Sequence, residues 1–121
     1  MTDRQAFEAM AEKWPELLHG FSMEIRCETG RPEEFVAQNI HGNRELTSDD
    51  YQFLAGKLGY VIQPFPVYRD GEFFAWSFAT SLSPSLDDYA ENENQYSTML
   101  QAMQAGFHRV VELATKENPN G

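Results

Sequence analysis

The sequence predicts an α+β fold: one antiparallel sheet of three or four strands with helices packed on one face, in the order α-β-β-α-β-β-α. Three observations carry that reading. Phe21 to Glu28 alternates apolar and polar residues strictly, the signature of a half-buried strand. Asp70-Gly71 separates two apolar runs and forms a two-residue turn at which both positions accept positive φ. Tyr96, Met99, Leu100, Met103, Phe107, Val110, Val111 and Ala114 recur at helical spacing near the end of the chain.

Each element follows from local chemistry. Thr2 and Gln5 have the spacing of a capping box, and Phe7, Met10 and Ala11 share a face of the helix that follows. Pro15 disfavours helical geometry in the residue before it, so this helix ends near Trp14. In the first strand Phe21, Met23, Ile25 and Cys27 face the core. Thr29-Gly30-Arg31-Pro32 is a turn, after which residues 33–40 read as a short helix begun by Pro32 or, preferably, as a returning strand. His41-Gly42-Asn43 breaks the chain. Thr47-Ser48-Asp49-Asp50 caps a second helix, with the acidic pair at the positive end of its dipole. Tyr51, Leu54 and Leu58 form its buried stripe, and Gly59 stops it.

Residues 60–80 form a hairpin about Asp70-Gly71. The turn sets Val67 against Phe74, Phe65 against Trp76 and Val61 against Thr80, which places Phe65, Val67, Phe74, Trp76 and Phe78 on one core-facing side. Pro64 and Pro66 cannot donate to a ladder and mark an edge strand. The opposite side (Phe73, Ala75, Ser77, Ala79) is also apolar, and so is either buried or used for self-association. Ser83-Pro84-Ser85 leads into an acidic stretch, 87–94, ahead of the last helix. Gly106 inside that helix costs up to about 1 kcal/mol relative to alanine, and a close approach by another element would explain it. Residues 118–121 read as a frayed tail on one compact domain spanning 1–121.

Charge then narrows function. Nineteen acidic residues against nine basic ones give a formal charge of -10 over 121 residues. That balance repels phosphate backbones and anionic headgroups and attracts basic surfaces. The N-terminal residues lack a signal-peptide layout, and no apolar run approaches the ~18 residues of a membrane span, so a cytoplasmic protein is expected. One cysteine precludes an internal disulfide.

No catalytic pattern stands out. Cys27 with His41 or His108 has the residue types of a thiol nucleophile and its base, but its place on the apolar side of a strand reads as a small buried hydrophobe. His19, His41 and His108 fall in separate elements without metal-ligand spacing. The acidic stretch lacks a calcium-loop pattern, and the isolated glycines form no phosphate cradle. Aromatic residues of the hairpin resemble a base-stacking platform in type alone, because Arg69 is the only lysine or arginine between Gly59 and Arg109.

The expectation is therefore a non-enzymatic acidic module, without cofactor or metal, that occludes a basic protein or nucleoprotein complex. Inhibitors of nucleic-acid-processing complexes (the phage anti-defence type) and nuclease-toxin immunity proteins act in this way. The likeness is one of size and charge. Asp87, Asp88, Glu91 and Glu93 are the expected contact residues, with Asp49 and Asp50 second. The alternatives are a small-ligand protein or minor enzyme with a pocket between sheet and helices, and a homodimeric assembly factor joined through the hairpin.

Overall fold

The computed structural model describes residues 1–41, 44–82, 90–91 and 95–117. It is α+β, in the expected order of helices and strand pairs: α1 (Asp3–Lys13), β1 (Phe21–Arg26), β2 (Glu34–Asn39), β3 (Arg44–Glu45), α2 (Ser48–Lys57), β4 (Tyr60–Arg69), β5 (Glu72–Leu82), β6 (Ala90–Glu91) and α3 (Met99–Glu117). A short 3-10 turn, Pro15–Leu18, follows α1. Gly42, Asn43, Ser83-Pro84-Ser85 and residues 118–121, read as a frayed tail, lie outside the described residues.

The expectation of one sheet is corrected. The strands divide into two antiparallel sheets, β1-β2-β3 and β4-β5-β6. Each is a two-stranded hairpin with a third strand of two residues. Residues 34–39 of the 33–40 segment are strand, as preferred, because β2 pairs with β1 along its whole length. α2 and the long helix α3 lie against the second hairpin, α1 lies against β2, and α3 also packs on α1 and α2. The helices thus hold the two sheets together. Phe7, Met10, Tyr51, Leu54, Ile62, Phe78, Phe107 and Val110 form the core between them. Ala6, not Ala11, completes the buried face of α1.

Both capping boxes close. Thr2 and Gln5 exchange bonds at the start of α1, and Thr47 does the same with Asp50 at the start of α2. The helical glycine has its expected cause: a Cβ at Gly106 would lie 2.5 Å from Ile62 Cγ2 and 3.3 Å from Phe78 Cδ2. Here α3 crosses the second hairpin at close range.

The hairpin turn forms at Asp70-Gly71, with φ of 53° and 80°. Its register departs from the expected one. Arg69 faces Glu72 and Tyr68 faces Phe73, but an irregularity between Val67 and Tyr68 shifts all earlier pairs by one residue. Val67 therefore faces Ala75, Phe65 faces Ser77 and Val61 faces Ser81. Phe74 is the extra residue, which turns it out of the core to 48% exposure. Phe78 is buried as expected, whereas Trp76, Phe65 and Val67 are half-buried. On the other side Ala75, Ser77 and Ala79 are buried and Phe73 is exposed, so both faces of β5 are covered over most of its length. Of the two readings of this face, burial holds at three of its four residues.

β1 is the second correction. Phe21 is half-buried, but Met23 is 39% exposed, Ile25 43% exposed, and Cys27 stands in solvent. The apolar face is real, since Met23 and Ile25 lie opposite Ala37 and Phe35, which pack on the core. β1 is the outer strand, and the core reaches β2 without extending under most of β1.

Candidate functional site

Three of the expected contact residues, Asp87, Asp88 and Glu93, lie outside the described residues. Glu91 falls in β6, its backbone paired with Ala79. Asp49 is exposed in the first turn of α2. Asp50 is only 5% exposed and is committed to local structure: its carboxylate accepts from Thr47 N at 2.8 Å and from Asn39 Nδ2 at 2.9 Å. It ties α2 to β2 and is not a surface anion.

The described cations are largely engaged inside the chain. Arg4 bonds Glu8 and Glu33, Arg26 bonds Glu24, Arg31 bonds Glu28, and Arg109 bonds Glu112. Arg69 lies over the Phe74 ring at 3.9 Å, and Lys57 over Phe53 at 5.1 Å. By contrast Glu12, Glu16, Glu34, Glu45, Asp49, Asp70 and Glu72 are exposed and enter no ion pair among the described residues. Unpaired carboxylates thus stand at the end of α1, along β2 and β3, at the start of α2 and at the hairpin turn.

That turn also presents aromatic surface. Tyr68, Phe73 and Phe74 are exposed, with Tyr68 edge-on to Phe73 at 6.3 Å and Phe73 edge-on to Trp76 at 5.8 Å. Asp70 and Glu72 flank this group, so the hairpin end is both apolar and anionic.

Sequence reasoning missed a polar network where α1, α2 and α3 meet. Asp3 Oδ1 accepts from His108 Nε2 at 2.5 Å, and Asp3 Oδ2 accepts from Tyr51 Oη at 2.8 Å. Burial by itself would raise the Asp3 carboxyl, but donation from His108 and Tyr51, with the nearby His108 charge and Gln104, holds it below its ordinary value. Burial, followed by the Asp3 and Asp50 charges, pushes the Tyr51 hydroxyl far above its ordinary value. Tyr51 thus stays a neutral donor and Asp3 an ionised acceptor. Nothing local in the sequence marks this group, whose members are separated by 48 and 105 residues.

The histidines are partly reunited. His19 and His41 line one small cavity with Phe21, Asn39, Asp49 and Phe53. Among the described residues, no three His, Cys, Asp or Glu side chains are grouped so as to hold a metal ion. No helix among them is long and apolar enough to cross a membrane. Comparison with protein-family models, with curated proteins and with solved structures gives no match.

Proposed function

We propose that this chain is a cytoplasmic, non-enzymatic binding module that occludes a basic surface on a protein or nucleoprotein partner. The observation that carries the reading is the asymmetry of ion pairing. Arg4, Arg26, Arg31 and Arg109 are matched by carboxylates within the chain, while among the described residues many other carboxylates face solvent without a cation. Such a surface speeds encounter with a cationic partner and discriminates against anionic ones. The aromatic end of the β4-β5 hairpin adds the apolar anchors that long-range charge does not supply. Inhibition of a nucleic-acid-processing complex and neutralisation of a nuclease toxin are the two activities that this chemistry serves.

The test begins with affinity capture from the native cell extract at low and high salt, followed by association kinetics with the purified partner. Replacing Asp87, Asp88, Glu91 and Glu93 with their amides is expected to slow association and flatten its dependence on salt. Unchanged kinetics removes those four residues from the contact. A partner whose association is insensitive to salt removes the electrostatic reading altogether.

A further inference from the structure

The long outer strands of the two sheets, β1 and β4, are protected very differently. On β4, Gln52 of α2 reaches across to Ile62, donating from Nε2 to its carbonyl at 2.6 Å and accepting from its N–H at 2.9 Å. Ile62 therefore directs its backbone away from β5. By the alternation of an antiparallel ladder, so do Pro64 and Pro66, which have no N–H to offer. A side-chain amide and two prolines blunt that edge.

Among the described residues, no side-chain amide or proline blunts β1 in this way. The bond from Ile40 N–H to the Gly20 carbonyl sets the alternation in the first hairpin. Ser22, Glu24 and Arg26 turn their backbones toward β2, whereas Phe21, Met23 and Ile25 turn theirs outward. Residues 23–26 are exposed, Met23 and Ile25 among them, and no described strand pairs with this side. An open edge with apolar side chains is a template for another strand.

The residue types on β1 identify that strand. We propose that β1 pairs antiparallel with β1 of a second copy, with Ile25 opposite the partner's Ile25. In this register Glu24 lies opposite the partner's Arg26, and Arg26 opposite the partner's Glu24. Met23 lies opposite the partner's Cys27. Sliding the copies so that Met23 faces the partner's Ile25 would set Glu24 against the partner's Glu24, a like-charge pair that disfavours the arrangement. Setting Met23 against the partner's Met23 gives Glu24 and Arg26 no cross-strand mate and leaves them only the bond they already make to each other. The ion pairs select the register, because exposed pairs add little affinity. Backbone bonds and the apolar face of Met23 and Ile25 supply the association, and the two first hairpins become one sheet. This surface is separate from the acidic contact proposed above, and the dimer stands or falls without it.

Chain mass measured by sedimentation over a wide concentration range tests the pairing. Glu24→Arg sets arginine against arginine twice and is expected to weaken the dimer about tenfold. Arg26→Glu does the same with glutamates, and the double exchange Glu24→Arg with Arg26→Glu restores the wild-type constant. A monomer at every concentration overturns the proposal, as does a dimer that both single variants leave intact. Geometry gives an independent readout. In Met23→Cys the new thiol faces the partner's Cys27 at disulfide range, so mild oxidation yields a covalent dimer. Ser22→Cys points to the other face and yields none. Equal cross-linking of the two variants rejects the register.

Discussion

The hydroxyl of Tyr51 in α2 donates to Oδ2 of Asp3 in α1 at 2.8 Å, while the imidazole of His108 in α3 holds the other oxygen at 2.5 Å. One carboxylate thereby fastens three helices at the point where the Phe107 ring packs, tilted, against both Phe7 and Tyr51. Tyr51→Phe keeps the ring and deletes the donor. A hydrogen bond to a charged, partly buried acceptor contributes about 1.5–3 kcal/mol, so the unfolding free energy should fall by that amount, read as a lower urea midpoint with the slope unchanged. A variant as stable as the wild type would show that solvent replaces the hydroxyl without loss.

The same network predicts how stability responds to pH. The Asp3 carboxyl is held below its ordinary 3.8, so its contribution is fully present above that value and is lost as acid carries pH down through the folded-state value. Tyr51 is shifted the other way. Its contribution is intact below 10.0 and declines as pH rises further, because the unfolded chain ionises its tyrosine and the folded one does not. Denaturant titrations across pH should show an acid limb that flattens in Asp3→Asn and an alkaline limb that flattens in Tyr51→Phe. An Asp3→Asn profile with the acid limb of the wild type would place that limb on other carboxylates.

These contacts also mark the limit of what the sequence discloses. The capping box of α1, the N-cap of α2, the Asp70-Gly71 turn and the central and C-terminal stripe of α3 are local patterns, and each forms as read. Ala11, Met99 and Leu100, read into the helical stripes, are exposed, and the larger errors are matters of longer range. Alternation in β1 reports which side chains share a face, but whether a core lies beneath that face depends on where β1 falls in the sheet. Hence Met23 and Ile25 are on the core side and still exposed. The one-residue shift between Val67 and Tyr68 has no signature in the turn itself, yet it expels Phe74 from the core. In the candidate site, Asp50 was legible as a cap and not as a surface charge. Residues 3, 51 and 108 cannot be joined without the fold.

Gly106 provides a test of the close crossing of α3 over the second hairpin. In an isolated helix, alanine would be favoured over glycine by about 1 kcal/mol. Here the added methyl would sit 2.5 Å from Ile62 Cγ2, with the Phe78 ring also close. Both neighbours are buried and cannot move freely. Overpacking of this kind costs about 1–3 kcal/mol, so the clash outweighs the gain in propensity. Gly106→Ala should melt at a lower temperature than the wild type. Pairing it with Ile62→Ala, which removes the obstructing methyl, should make the two losses less than additive. Strict additivity would mean that the helix and β4 do not meet as described.

Adjacent in sequence, Asp49 and Asp50 should behave as opposites. Asp50 closes the capping box of α2 and also accepts from Asn39 on β2, so Asp50→Ala breaks a cap and leaves the Asn39 amide without its acceptor. Loss of a cap costs about 0.5–2 kcal/mol, and a stranded partner adds to that. Asp49 is exposed in the same helical turn, and its removal forfeits only a dipole contribution of about 0.3–1 kcal/mol, which salt screens. Association with a cationic partner should rank the pair the other way. Asp49→Asn is expected to slow encounter at low salt while leaving stability nearly unchanged, because its charge projects into solvent. Asp50→Asn, with its charge masked by Thr47 and Asn39, should leave the association rate of the folded protein nearly as it was. Stopped-flow association at two salt concentrations, set beside denaturant midpoints for both variants, separates the roles. If Asp50 governed the rate and Asp49 the stability, the assignment of cap and contact would be reversed.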